Sequence, residues 1–306
     1  MLESIVQITN MTQATTPEVG MVRVSPVWNL HVERKSTGVR YRPEDSPFST
    51  LFVDVTHRCN MACRNCYIPN RDVPDMPLEF LTDVLARLPQ RTRVRLVGAE
   101  PTLRADLPDL IRKTRELGHI PVVLSNGLRL VNKRYVESLR RAGLRTIYLS
   151  MNGGLSDDLY EQIDDLACAA PKIKALKQLN AARFNVTVGM ILVRDVNLEH
   201  CATFLEHLNT IPAVNEIHLR SVGAFGRHMD TNPLTVDEMI AAATGNGKHA
   251  HQIQGRAERT AQLMVLGHRV EITQWPELGS RRRGRLDPDG FIEPCFEHLI
   301  ANEGGY

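Results

Sequence analysis

Short apolar runs alternate with amphipathic segments through the middle of the chain. The apolar runs, rich in Val, Ile and Leu, lie at 51–55, 94–98, 120–125, 146–150, 185–193 and 216–219. Between them, apolar residues recur at helical spacing over 78–88, 107–117, 133–141, 172–181 and 198–208. Gly118 and Gly143 follow two of these segments, where a left-handed C-cap residue is expected. The alternation predicts parallel strands with right-handed helical crossovers, in a doubly wound sheet or a full or partial barrel.

The alternation does not extend to either end of the chain. Residues 1–46 are polar, with two stretches, 22–24 and 28–32, that can pair as a hairpin. After a loop at 223–226 we expect helices over 235–243 and 254–266, a strand over 269–273, an Arg-rich loop at 281–285 and a turn at 287–290. The Arg-rich loop is expected to be solvated, with binding of an acidic peptide or nucleic acid as the alternative. The pattern therefore predicts an N-terminal extension (1–46), an α/β core (47–222) and a C-terminal extension (223–306) that covers one mouth of the core.

Composition narrows the class of protein. The chain has 306 residues, 42% hydrophobic and 24% charged, with a formal net charge of +2. This balance favours neither nucleic acid nor an anionic membrane as a partner. We find no secretory signal at the N-terminus and no apolar run near the roughly 18 residues of a spanning helix. We therefore expect a cytoplasmic protein, in which cysteines serve as ligands, catalysts or core residues rather than disulfide partners.

Three of the six cysteines, Cys59, Cys63 and Cys66, fall within eight residues. They follow the first predicted strand closely, and ligands bind at the carboxyl ends of parallel strands. Three thiolates on one loop can cap three corners of a four-iron cluster and leave the fourth iron open. The alternative is a Cys₃His zinc site that includes His57, although the paired CxxC spacing of many structural zinc sites is missing.

The pattern Cys59-x₃-Cys63-x₂-Cys66 after a first strand resembles the signature of the radical S-adenosylmethionine superfamily. The resemblance implies a full or partial β/α barrel, a [4Fe-4S] cluster on these cysteines, and S-adenosylmethionine on the open iron. In that family, one electron from a donor such as flavodoxin or ferredoxin yields methionine and a 5′-deoxyadenosyl radical, which takes hydrogen from a substrate. Many members carry an aromatic residue before the third cysteine. In this chain Asn65 takes that position, and Tyr67 directly follows the third cysteine, Cys66. In the family this neighbourhood lies near the adenine, so the resemblance implies that Tyr67 contacts it.

Two further segments resemble elements of the same family. Gly98-Ala99-Glu100-Pro101 follows the second strand and is similar to the Gly-Gly-Glu-Pro element, whose backbone and acid receive the methionine amino group. Glycine lets a ligand approach the backbone, and a carboxylate can accept from an ammonium. Ser125-Asn126-Gly127 ends the third strand, where the family faces the ribose. The resemblance therefore implies ribose contacts for Ser125 and Asn126, although such triplets are also common turns.

The fourth and fifth strands end in related features. Ser150-Met151-Asn152-Gly153 is similar to the Ser-x-Asp-Gly element of the family, with Asn152 in place of the acid. Ile191, Val193 and Asn197 take positions that the family packs against adenine, and core packing is the alternative for them. The resemblance thus extends the cofactor site to Ser150, Asn152, Val193 and Asn197.

Several other side chains carry weaker indications. Arg194 and Arg220 end the fifth and sixth strands, where each can bind a carboxylate or phosphate or face solvent. Cys168 and Cys201 fall in helical segments and are expected in the core. Cys295 lies in Asp-Gly-x-x-x-Pro-Cys, which resembles relatives with additional clusters, but a solitary cysteine cannot hold one. Cys295 is then a remnant or a catalytic thiol that donates hydrogen.

The sequence therefore predicts a radical S-adenosylmethionine enzyme with a single cluster. Its substrate is a small molecule or a peptide, modified in a biosynthetic pathway. The reaction on that substrate stays open among epimerisation, dehydrogenation, decarboxylation, cross-linking and methylation. The alternatives are a non-catalytic iron–sulfur or zinc protein and a radical methylase.

Overall fold

One eleven-stranded sheet organises the part of the chain that a computed structural model describes, residues 39–66, 68, 71–223, 233–275 and 282–295. Its strands are β1 (Thr50–Thr56), β2 (Arg93–Gly98), β3 (Ile120–Ser125), β4 (Thr146–Ser150), β5 (Asn185–Leu192), β6 (Val214–Ser221), β7 (His251–Arg256), β8 (Thr260–Val265), β9 (His268–Thr273), β10 (Arg283–Leu286) and β11 (Ile292–Pro294). The helices are α1 (Leu78–Ala86), α2 (Leu107–Glu116), α3 (Lys133–Arg141), α4 (Asp157–Asp164), α5 (Ala169–Ala181), α6 (Cys201–Leu208) and α7 (Val236–Ala243). The hairpin predicted within 22–32 lies outside the described residues.

The strand order makes the sheet an open, partial barrel. It runs β11-β10-β1-β2-β3-β4-β5-β6-β9-β8-β7. Strands β1 to β6 are parallel neighbours in chain order, as the alternation predicted. Strand β10 pairs parallel to β1 and β9 pairs parallel to β6, while β7, β8 and β11 are antiparallel additions. The predicted partial (β/α) barrel is confirmed.

The two faces of the sheet differ in chemistry. On the outer face, side chains such as Val53, Leu96 and Ile217 are fully buried in one apolar cluster with the helices. Burying each one contributes roughly 1.5–3 kcal/mol. Successive strand residues point to opposite faces, so the residues between them, such as Asp54 and Arg95, lie on the inner face. The inner face therefore mixes charged residues with apolar ones such as Phe52 and Val97, and cavities open along it.

The predicted turns and caps have the expected backbone. Gly118 and Gly143 have φ of 85° and 104° after their helices. At the predicted turn over 287–290, the Asp287 carboxylate accepts hydrogen bonds from the backbone N–H groups of Asp289 and Phe291 at 2.8 and 2.9 Å. Gly290 has a φ of 88°. These positions confirm the predicted helix ends and turn.

Two predictions about the C-terminal segment are wrong. Residues 254–266 form most of a β7–β8 hairpin rather than a helix, since Ala261, Leu263 and Val265 alternate into the core while β8 pairs with β9. Residues 283–285 belong to strand β10 rather than a solvated loop, and Arg285 is 7% exposed. The described C-terminal strands thus extend both edges of the sheet. The division of the chain at residues 46 and 222 stays a prediction.

Among the helices described, we find none with the length and apolar character needed to cross a membrane.

Candidate active site

A cavity of about 230 Å³ lies at the carboxyl ends of the parallel strands. The cysteine loop after β1 lines it together with residues at the ends of successive strands. These are Gly98 and Ala99 at the end of β2, Ser125 and Asn126 at the end of β3, Ser150 and Asn152 at the end of β4, Ile191 on β5, and Arg220 on β6. Most of the residues singled out in the sequence therefore meet at one place. Tyr67 lies outside the described residues.

The cysteine loop presents its three thiols to this cavity. Cys59, Cys63 and Cys66 are half-buried and form no disulfide. The Cys66 sulfur accepts a hydrogen bond from Arg71 Nη2 at 3.0 Å, and the Cys59 sulfur accepts one from the Met61 N–H at 3.4 Å. Such donors stabilise negative charge on sulfur and tune an iron–sulfur cluster.

The ionisation of the thiols fits a cluster better than a free nucleophile. Burial raises the pKa of the Cys59 and Cys63 thiols above their ordinary value of 9.0. Metal binding overcomes such a shift because it deprotonates a coordinating thiol. In the described part of the chain, no three His, Cys, Asp or Glu side chains converge on a single ion. A four-iron cluster needs no such convergence, since each thiolate binds a different iron. His57 is not among the described residues that line the cavity.

Gly98 fits the end of β2 against the base of the cysteine loop. Its φ is 116°, and a Cβ there would lie 2.1 Å from the Thr56 carbonyl oxygen. That same oxygen accepts a hydrogen bond from the Ala99 N–H at 2.9 Å, and the Glu100 N–H donates to the Arg58 carbonyl at 2.9 Å. Only glycine allows this approach, which ties β2 to the loop that carries the cysteines.

Glu100 is fully buried behind the cavity wall. Its Oε1 accepts from Thr102 Oγ1, the Thr102 N–H and Ser125 Oγ at 2.5, 3.0 and 2.9 Å. Its Oε2 accepts from the Asn126 N–H at 2.7 Å. Burial raises the pKa of Glu100, and these donors oppose the rise. Neither Glu100 nor Pro101 is among the described lining residues, so Glu100 holds the ends of β2 and β3 together.

A buried ion pair supplies the charge that Asn152 lacks. Asn152 Nδ2 donates to Asp164 Oδ1 at 2.8 Å, and Lys172 Nζ lies 3.8 Å from Asp164 Oδ2. The Asp164 and Lys172 side chains are each 1% exposed, and both line the cavity. Lys172 Nζ also donates to the Ser150 carbonyl at 2.9 Å. An acid therefore does stand beside Asn152, contributed by α4 instead of β4.

Sequence reasoning gave Asp164 and Lys172 no functional role. The helix α4 was not predicted, and Lys172 was placed at the start of an amphipathic segment. One indication was present. Lys172 precedes Ala175, Leu176 and Leu179 by three, four and seven residues, so it continues the buried stripe of α5. A lysine in such a stripe needs a buried partner.

The end of β5 is closed by Asn197. Its Oδ1 accepts from the Val193 N–H at 2.7 Å, and its Nδ2 donates to the carbonyls of Asn152 and Ile191 at 2.8 and 2.7 Å. Asn197 is fully buried, and Val193 packs against Ile163 and Val222. Of the three residues proposed near adenine, Ile191 faces the cavity, while Val193 and Asn197 support it from behind.

Tyr148 forms the floor of the cavity, and His218 contacts it from the side of a second cavity. Tyr148 Oη lies 3.4 Å from His218 Nδ1, and His218 Nε2 lies 2.9 Å from Thr273 Oγ1. The Tyr148 ring crosses Gly189, where a Cβ would come within 2.2 Å of it. Burial, and then the charge of Arg220, lower the pKa of His218 well below its ordinary 6.5. Beneath this floor, the amino-terminal halves of the strands line a second cavity of about 730 Å³.

Cys295 lies behind the wall rather than on it. It is 1% exposed and packs against Phe52 and Val97, which line the cavity. Burial raises the pKa of its thiol to about 12, so the thiol is protonated near neutral pH. The proposed role as a hydrogen donor needs a path through this one layer of side chains. Cys168 and Cys201 are buried, as expected.

The two arginines that end β5 and β6 differ. Arg194 is paired with Glu238 by two hydrogen bonds of 2.6 and 3.0 Å. Arg220 lines the cavity. Arg285, which was expected in a solvated loop, also lines the cavity and forms an ion pair with Asp54.

Comparisons with known proteins identify similar sequences. A probable GTP 3′,8-cyclase of Saccharolobus islandicus is 30% identical over 268 residues, which cover 82% of this chain and 83% of that protein. The 7,8-dihydro-6-hydroxymethylpterin dimethyltransferase of Methanocaldococcus jannaschii is 30% identical over 185 residues, 57% of this chain. This chain matches only 36% of that methyltransferase's length.

Solved structures share the fold. Streptococcus suis SuiB bound to the precursor peptide SuiA superposes with a TM-score of 0.63 at 15% identity, covering 84% of this chain and 61% of SuiB. A second SuiB structure contains S-adenosylmethionine. The family profile of the radical SAM superfamily matches residues 53–208, which include the cysteine loop, part of β1 and all of β2 to β5. The chain belongs to the radical S-adenosylmethionine superfamily, enzymes that use a [4Fe-4S] cluster and S-adenosylmethionine.

Proposed function

We propose that Cys59, Cys63 and Cys66 hold a single [4Fe-4S] cluster in this cavity, with S-adenosylmethionine beside it. The observation that carries this proposal is that the three thiols and the ends of β2, β3 and β4 line one cavity. When bound, these groups supply a 5′-deoxyadenosyl radical that takes hydrogen from the substrate. The electron comes from a donor such as flavodoxin or ferredoxin.

The chain's own residues bind and orient the cofactor. The backbone at Gly98 and Ala99 borders the cavity, where a methionine amino group can donate to exposed carbonyl oxygens. Ser125 and Asn126 follow β3 with their backbone fixed by Glu100, which suits them to ribose hydroxyls. Lys172 in the same wall is held by Asp164 and by the Ser150 carbonyl, which ties α4 and α5 to the end of β4. These groups stay in place before ligand arrives, so little ordering cost is left at binding.

The substrate that we propose is a small molecule, with a peptide as the second candidate. Two relatives at 30% identity carry names that refer to GTP and to a pterin, and both of these are small heterocycles. SuiB, whose structure contains a bound precursor peptide, is only 15% identical to this chain. That similarity supports a shared fold and not a shared substrate.

The test is anaerobic reconstitution with iron and sulfide, followed by reduction with dithionite in the presence of S-adenosylmethionine. We expect the absorbance of a four-iron cluster, together with 5′-deoxyadenosine and methionine among the products. Cys63→Ala should lose both the cluster and the cleavage. Cys201→Ala is the matched control, because Cys201 is fully buried in α6 and should leave the cluster intact.

Two outcomes would contradict the proposal. One is a cluster that forms but yields no 5′-deoxyadenosine with any reductant, which would indicate electron transfer alone. The other is zinc as the metal found at full occupancy in anaerobically purified protein, together with failure of iron reconstitution.

A further inference from the structure

Arg220 has unused hydrogen-bonding capacity at the cavity. It lies on the inner face at the end of β6 and lines the cavity. Its Nε is buried without a hydrogen-bond partner, and we find no ion pair or hydrogen bond from Arg220 to any residue that the structure describes. A buried donor left unsatisfied destabilises the protein. An orphaned group of this kind in a cavity wall points to a ligand that completes it.

The other charged side chains of the described cavity wall each contact a group within the protein, although Arg71 Nη1 and Asp164 Oδ2 are, like Arg220 Nε, buried without a hydrogen bond. Lys172 lies against Asp164, and Arg285 pairs with Asp54. Arg71 donates to the Cys66 sulfur on the cysteine loop. His218, next to Arg220 on β6, stays neutral because burial and neighbouring arginines lower its pKa. The charge of Arg220 is therefore the one on the β6 side that no described carboxylate offsets.

The surroundings of Arg220 suit the remainder of an organic ligand. Tyr148 and Trp275 line the same part of the cavity and offer aromatic surfaces, while Thr273 and Ser221 contribute hydroxyl groups. Arg220 stands apart from the ends of β2 to β4, and it borders the proposed adenine region because it pairs with Ile191 on β5. Strand β6 is two strands beyond β4 in the sheet, a separation of roughly 10 Å at the usual strand spacing.

We propose that Arg220 anchors an oxyanion group of the substrate, a carboxylate or a phosphate. A guanidinium donates two parallel hydrogen bonds to either group, which fixes orientation as well as position. The inference rests on the function proposed for this cavity, and it defines the substrate class further as an anionic small molecule. Arg220 then determines which substrates enter and how they lie relative to the cysteine loop.

The test is anaerobic titration calorimetry of the reconstituted full-length protein with pyrophosphate and, separately, with glutarate. We expect the wild type to bind at least one of the two, which also tells phosphate from carboxylate recognition. Arg220→Gln should weaken that binding at least about tenfold, as expected for the loss of a charged hydrogen-bond partner. Arg220→Lys keeps the charge but loses the two parallel donors of the guanidinium. Its affinity for the anion should lie between those of the wild type and Arg220→Gln.

Arg194→Gln is the matched control, because Arg194 ends the neighbouring strand but is already paired with Glu238. It should bind the anion as the wild type does. The inference is overturned if the wild type binds neither anion, or if Arg220→Gln and Arg220→Lys both bind as the wild type does. It is also overturned if S-adenosylhomocysteine competes with the anion, since Arg220 would then belong to the cofactor site.

A failure of the proposed function remains distinguishable. The Cys59→Ala, Cys63→Ala, Cys66→Ala triple variant holds no cluster and should still bind the anion through Arg220. If the wild type gives no 5′-deoxyadenosine but binds the anion in an Arg220-dependent manner, the proposed radical chemistry fails and the anion site stands.

Discussion

The strand ends on the two sides of the cavity differ in how completely their polar groups are paired. At the ends of β2 to β5, Glu100, Asn152 and Asn197 are buried and make several hydrogen bonds each. On the inner face at β6, Arg220 keeps a buried Nε without a partner. On the β2–β5 side most of the described polar groups find partners within the protein, and Asp164 Oδ2 and Arg71 Nη1 are the buried exceptions among the described lining residues. The β6 side is completed by a ligand.

This difference matches two kinds of ligand. A cofactor that is the same in every turnover benefits from a rigid, preorganised site. A substrate site needs groups that are satisfied only when the correct molecule arrives, because an analogue without the matching group then leaves a buried donor unpaired. The described network around Glu100 fits the first kind, and Arg220 fits the second.

The largest effect is expected from breaking the paired side at Glu100. Glu100→Ala leaves the buried donors of Thr102, Ser125 and the Asn126 backbone without an acceptor. Each unsatisfied donor costs about 1–3 kcal/mol of stability. We expect the free energy of unfolding to fall by about 3 kcal/mol or more, measured by urea denaturation. The affinity for S-adenosylhomocysteine should fall with it, because the ends of β2 and β3 lose their common acceptor.

Glu100→Gln is the control for this prediction. The amide keeps the shape and one acceptor oxygen, so its effect should be smaller than that of alanine. If alanine costs less than about 1 kcal/mol, the network does not hold the strand ends, and the contrast between the two sides of the cavity disappears.

Sequence-based prediction succeeded for local features and failed where contacts between distant elements decide the structure. The strands β1 to β6 and the cysteine loop followed from apolar runs and residue spacing, which are local properties. Lys172, Asp164 and Arg285 were missed as site residues because their partners lie on other elements. The same is true of residues 254–266, where pairing of β8 with β9 overrode a helical composition. Glu100 was placed at the right strand end, but that it faces Ser125 and Asn126 depends on tertiary contacts.

A moderate effect is expected at Gly189, which lies on the boundary between the two sides. An added Cβ would come within 2.2 Å of the Tyr148 ring, so Gly189→Ala must displace that ring from its place over β5. Overpacking of this kind costs about 1–3 kcal/mol, to be read from the urea midpoint. The displaced ring should also weaken anion binding at Arg220.

Gly255→Ala is the control, since on β7 an added Cβ finds no neighbour closer than 4.0 Å. It should leave the unfolding free energy within about 0.5 kcal/mol of the wild type. Equal stability of the Gly189→Ala and Gly255→Ala variants would show that the Tyr148 ring can move freely, and that the floor of the cavity is not fixed.

The smallest effect is a pH dependence from His218. Its pKa is lowered well below 6.5 by burial first and by Arg220 second. Below pH 6.5 the unfolded chain therefore binds a proton that the folded protein does not, so stability is full above that pH and falls below it. Between pH 7.5 and 5.5 the wild type should lose about 1 kcal/mol more than His218→Gln, measured by urea unfolding at both values.

Arg220→Gln sharpens this measurement, because it removes one of the charges that keep His218 neutral. The pKa of His218 should then rise towards 6.5, and the loss of stability at pH 5.5 should be smaller than in the wild type. Addition of pyrophosphate to the wild type should act in the same direction, since an anion on Arg220 offsets the same charge. If neither the substitution nor the anion changes the pH dependence, Arg220 and His218 do not share one electrostatic environment, and the unpaired side of the cavity is not a single site.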